Sequence, residues 1–162
     1  METPSAPSHA RTLETIQNLF NTQNLSVLST QKNGQPYASI VAVTVTPDLK
    51  QIIFLTPETT RKYDNLVASP RVAMLIHNSQ NKAEDITQAI SVTATGEAFP
   101  VTGQEKEQLL ALYLSRHPHM KSFANNLTTA VIRMNVDTYI MVSQFQTVLE
   151  IKVNGYRPDD SH

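Results

Sequence analysis

Apolar residues at Leu13, Ile16, Leu19 and Phe20 repeat at the three-and-four spacing that lines one face of a helix. They predict a first helix over about residues 10–22. Residues 25–30 then read as a strand, and 37–46 as a longer one rich in Val, Ile and Thr. Between them, Asn33-Gly34 tolerates positive φ at both positions and predicts a tight hairpin. Pro47-Asp48 turns the chain into a third strand over 51–56, with the apolar run Ile52-Ile53-Phe54-Leu55. That run stops at Thr56-Pro57. A second helix then starts, with Thr59 or Thr60 as its N-cap, and ends near Ser69-Pro70 because the residue before proline avoids helical geometry. Further strands follow over 71–77 and 89–99, separated by a polar loop over 78–87. Gly96 inside the 89–99 strand marks a bulge or a close backbone approach. An amphipathic helix over 104–114 is broken by His117-Pro118, and strands over 130–135, 138–143 and 148–153 complete the pattern.

Helices do not alternate with strands along most of this chain, which argues against a doubly wound parallel sheet. About seven hairpin-linked strands with a few helices as caps suit a closed or partly open antiparallel barrel, a mainly β (α+β) domain. At 162 residues one domain is expected, over 10–153, with a polar N-terminal tail over 1–9 and a C-terminal tail over 154–162.

Composition narrows the partners. Thirteen Lys and Arg against 14 Asp and Glu give a net charge of −1, no field that would draw nucleic acid. The absence of Cys excludes disulfides, thiolate metal sites and cysteine nucleophiles. The first residues carry neither a basic segment nor an apolar stretch, and no apolar run approaches membrane-spanning length. A cytoplasmic protein without nucleic-acid or membrane partners is therefore the expectation. Asn24-Leu25-Ser26 and Asn126-Leu127-Thr128 match the glycosylation pattern by chance.

One segment carries chemistry. Arg61 and Lys62 fall in the first turn of the second helix, where free N–H groups already make the helix end positive. A bound anion would remove the conflict: backbone N–H groups, threonine hydroxyls, one Arg and one Lys together suit a phosphate. Without a ligand the two are solvated charges balanced by Asp64 or Glu58. A second feature is the strand Tyr37-Ala38-Ser39-Ile40-Val41-Ala42-Val43-Thr44, whose small residues leave room for a flat ligand, although this segment alone favours an ordinary barrel strand packed by a helix. No Gly-x-Ser-x-Gly elbow supports serine hydrolysis, and there is no phosphate-binding Gly loop. His117-Pro118-His119 lacks a third spaced ligand, so no metal site is expected.

In order and spacing, Gly34-Gln35-Pro36-Tyr37, Phe54-Leu55-Thr56, Thr60-Arg61-Lys62, Asn65-Leu66, Ser69-Pro70-Arg71-Val72 and Gly96-Glu97-Ala98 resemble the pyridoxamine 5′-phosphate oxidase-like, FMN-binding split-barrel family. The resemblance covers roughly residues 13–153. It implies a six-stranded antiparallel split barrel, a homodimer, and FMN in a groove at the dimer interface. Carried over, Thr56, Thr60, Arg61 and Lys62 hold the phosphate beside Leu55. Ser39, Ile40, Val41, Ala42 and Thr44 line the ring and ribityl chain, and Ser91 faces the flavin from the partner subunit. The chain departs from pyridoxamine phosphate oxidase itself. That enzyme has basic residues where Ser39 and Thr44 stand here, a Gln in place of Ser91, and a longer C-terminal segment. Vitamin B6 oxidation is therefore not expected. Residues 113–118 resemble the haem-utilisation and stress-related branch. The implied activity is an FMN-dependent oxidoreductase on an unidentified small molecule. Its rivals are a non-enzymatic flavin- or haem-binding module, with His77, His117 or His119 as haem ligands, and a deazaflavin in the same groove.

Overall fold

The computed structural model describes residues 9–144 and 147–153. The expected tails, apart from His9, lie outside the described residues. Helix α1 (His9–Thr22) leads into β1 (Leu25–Lys32) and β2 (Gln35–Val45), joined by Asn33 at φ 53° and Gly34 at φ 77°. Lys32 lies opposite Gln35, so the turn is the two-residue hairpin that the Asn-Gly pair predicts. β3 (Gln51–Pro57), α2 (Arg61–Ala68) and β4 (Arg71–His77) follow. Then come a short α3 (Asp85–Gln88) inside the expected polar loop, β5 (Ser91–Pro100) and α4 (Gly103–Arg116). A 3-10 turn, α5 (Lys121–Ala124), β6 (Thr129–Ser143) and β7 (Thr147–Lys152) close the chain.

Every strand pairing is antiparallel. The strands run β3-β2-β1-β4-β5-β6, and β6 pairs back onto β3, closing a six-stranded barrel with β7 appended to β6. β3 explains its unbroken apolar run by facing two cores. Ile52 and Phe54 join the barrel interior with Leu28, Val43, Met74, Val92 and Ile132. Ile53 and Leu55 face outward into a second core under α4 and α5, with Val131, Leu109 and Tyr113.

The strands expected over 130–135 and 138–143 are one strand, β6. Thr95 pairs with Thr138 but Gly96 with Val136, so Asp137 is one extra residue, a bulge without a turn. A Cβ on Gly96 would collide with the Asn135 carbonyl and stand 3.2 Å from the Val136 Cα, so only glycine lets β5 and β6 approach here. Beyond the bulge, the far half of β6 leaves β3 and pairs with β7.

Candidate functional site

The end of β3 and the start of α2 are tied into one rigid turn. Thr56 is buried at the strand end, and its hydroxyl lies 2.7 Å from that of Thr60. The Pro57 carbonyl lies within hydrogen-bond distance of both hydroxyls. Thr60 is the N-cap: its backbone is extended, at φ −82° and ψ 154°, and its hydroxyl accepts the Tyr63 N–H at 3.3 Å. The Glu58 N–H donates to the Thr128 carbonyl at 2.8 Å, tying the turn to the start of β6. Arg61 and Lys62 are the first two residues of α2, where N–H groups have no acceptor within the helix.

Charge balance decides how this end behaves. Asp64 does not balance the two cations: its carboxylate lies 2.7 Å from Lys32 Nζ at the end of β1. Glu58 is exposed, and among the described residues no carboxylate forms an ion pair with Arg61 or Lys62. The Arg61 guanidinium instead stacks over the Tyr37 ring, 5.3 Å from its centroid. Helix α2 is fixed to the barrel by the buried Asn65, whose side-chain amide donates to the Thr30 hydroxyl at 3.0 Å. Two cations thus stand at a positive helix end without a counter-charge, on a braced turn, an arrangement suited to a phosphate or carboxylate.

The remaining sequence-predicted residues divide by strand geometry. Tyr37 belongs to β2, so this strand leads directly away from the cationic end. Val41 is buried in the barrel interior, and Ser39, on the same face of β2, has a buried hydroxyl without a partner among the described residues. Ile40, Ala42 and Thr44 lie on the outer face; Ile40 is 66% exposed, while Ala42 packs against the second core. Leu55 belongs to that same core. Ser91 opens β5, opposite His77 of β4. With β1 and β4 between β5 and β2, it is three strand spacings from β2, about 14 Å along the sheet. One chain therefore gathers Thr56, Thr60, Arg61, Lys62 and Tyr37, carries the β2 set alongside, and holds Ser91 apart.

Local pattern did not reveal the roles of Tyr37 and Lys32. Their signal lies in the hairpin: Asn33-Gly34 fixes the register that sets Tyr37 opposite Thr30 and leaves Lys32 at the rim. His117 is 2% exposed, and its Nε2 lies 2.7 Å from the Val43 carbonyl, so this ring is a satisfied core group bracing β2. The His77 Nδ1 is 2.7 Å from the Ser79 hydroxyl, and His119 is exposed. No group of three or more His, Asp or Glu among the described residues could hold a metal ion.

The family model for pyridoxamine 5′-phosphate oxidase matches residues 12–143. The chain belongs to this family. No curated protein matches it in sequence. Among solved structures, a haem-binding protein from Mycobacterium smegmatis superposes with a TM-score of 0.78 at 19% identity, over 91% of this chain and 59% of that one. The chain thus spans less than two thirds of that relative's length. The haem storage protein HutZ from Vibrio cholerae gives a TM-score of 0.68 at 15% identity, covering 84% of this chain and 92% of its own. A FAD-binding protein from Mesorhizobium loti gives 0.64 at 14%, covering 83% and 92%. At these identities the likeness is one of fold. No helix among the described residues is long and apolar enough to cross a membrane.

Proposed function

We propose that the chain binds FMN, with its phosphate at Arg61 and Lys62, and serves as a flavin-dependent oxidoreductase on a small molecule. The observation that carries this reading is the pair of cations at the N-terminus of α2 that Asp64 leaves uncompensated. The donor set fits a phosphate monoester: a guanidinium held by Tyr37, an ammonium group, and free backbone N–H groups. The Thr56 and Thr60 hydroxyls already bond each other and the Pro57 carbonyl. Their first role is to shape the turn: Thr56 is buried beneath it, and Thr60, the N-cap, is the hydroxyl nearer the helix end.

Bound FMN would supply the redox chemistry. The protein's share is binding and shielding: Arg61 and Lys62 neutralise the phosphate, and β2 offers the exposed Ile40 on its outer face, where Ala42 packs against the second core and Thr44 is buried. The separation of Ser91 from β2 supports a homodimer in which Ser91 of the partner subunit completes the site. A cytoplasmic location belongs to the same reading.

The rival is haem binding without turnover, suggested by the names of the Mycobacterium smegmatis and Vibrio cholerae proteins. Propionates would also suit Arg61 and Lys62, but the Nε2 of His117 is already engaged, leaving His77 and His119 as ligands. Titration of the purified protein with FMN, riboflavin and haem separates the two. Our reading expects FMN to bind more tightly than riboflavin, and bound FMN to be reduced by NADH or NADPH. A Soret shift on haem addition, lost in His77→Ala or His119→Ala, with no flavin bound, would overturn it.

A further inference from the structure

We infer that Lys32 is a positioning residue that keeps the α2 anion site cationic by holding Asp64 away from it, and thereby sets the preference for a phosphate-bearing ligand. This rests on the phosphate reading above. Asp64 lies three residues after Arg61, the spacing at which helical side chains of opposite charge meet. Left alone, it is the natural partner of Arg61. The structure pairs it instead with Lys32, at 2.7 Å, across from α2 at the end of β1. The Asn65–Thr30 bond fixes α2 against β1, so the two side chains face each other on anchored elements. The same hairpin that ends at Lys32 returns Tyr37 beneath Arg61. One β-turn therefore supplies both devices: an ammonium that occupies the competing carboxylate and a ring that steadies the guanidinium.

The consequence is local to one carboxylate. With Lys32 present Asp64 is occupied; without Lys32 it is free to swing to Arg61, three residues before it on the same helix, and to compete with the anion. The Lys32 and Asp64 side chains are 41% and 65% exposed, so the effect is a surface one, about two- to five-fold in affinity. It falls on ligands that carry the phosphate and spares those that lack it.

The test is a mutant cycle on the intact chain, with FMN and riboflavin affinities read by fluorescence quenching at low salt. Lys32→Met is expected to weaken FMN about three-fold and leave riboflavin unchanged, while Lys32→Arg keeps the wild-type value. Asp64→Asn is expected to change little alone but to restore FMN affinity in the Lys32→Met background. Equal effects of Asp64→Asn in both backgrounds, or no restoration, would overturn the inference, because Lys32 would then act as a distant charge or a direct ligand. Unchanged FMN affinity in Lys32→Met would overturn it too. If the wild type prefers FMN to riboflavin and Arg61→Ala/Lys62→Ala abolishes that preference, such a failure belongs to Lys32 alone. If the wild type shows no preference, the phosphate reading itself has failed, and the role of Lys32 falls with it.

Discussion

Replacing Gly96 by alanine tests the packing that closes the barrel. The new Cβ would collide with the Asn135 carbonyl oxygen and stand 2.9 Å from its carbon and 3.2 Å from the Val136 Cα. Unstrained carbon contacts lie at about 3.5–4.0 Å, so the β6 backbone must retreat. No flexible side chain can absorb the shift, because every atom met is main chain. Beside this point β6 carries its bulge and changes partner from β3 to β7, so retreat disturbs ladders on both sides. Overpacking of this kind costs about 3 kcal/mol. For a domain of this size that lowers the melting temperature by about 6–12 °C. Thermal and urea unfolding followed by circular dichroism read it directly. A loss below about 0.5 kcal/mol, the range of ordinary surface substitutions, would refute the close approach as the reason for glycine.

Three further expectations follow from single contacts. His117→Phe keeps a ring in the second core but removes the Nε2–H donor to the Val43 carbonyl, and should cost about 1 kcal/mol, read as a lower urea midpoint. Tyr37→Leu removes the ring under Arg61 and should weaken FMN about two- to five-fold, while Tyr37→Phe should not. The Thr46 hydroxyl and the Lys50 N–H hold the Asp48 carboxyl below its ordinary range. A folded-state pKa so depressed adds stability that is present above the unfolded value and lost as pH falls through the folded one. Asp48→Asn should accordingly flatten the acid limb of stability below about pH 4, read as urea midpoints against pH.

The features legible in the sequence were those set by neighbours along the chain. The Asn33-Gly34 turn and the ends of α2 depend on a few consecutive residues, and the structure places Thr60 as the cap and Ser69 as the stop. The single strand β6 was not legible, because its bulge at Asp137 is defined by the register against Thr95 and Gly96 on another strand. Closure of β3 onto β6 joins segments far apart in sequence, which periodicity does not report; the number of strands suited a closed or partly open barrel, and the family resemblance implied six strands. At the candidate site, Thr60-Arg61-Lys62 announced itself through cations at an unfavourable helix end. What leaves those cations uncompensated is the ion pair of Asp64 with Lys32, a contact between a helix and a hairpin tip that no local pattern predicts.

Whether Arg61 and Lys62 hold a phosphate is decided by FMN and riboflavin affinities in wild type and in Arg61→Ala/Lys62→Ala. Two charge-assisted bonds at about 1.5 kcal/mol each amount to about a hundred-fold in affinity. The double variant should lose about that factor for FMN and keep its riboflavin affinity. A folded double variant that still prefers FMN as strongly as the wild type would mean that the two cations do not hold the phosphate.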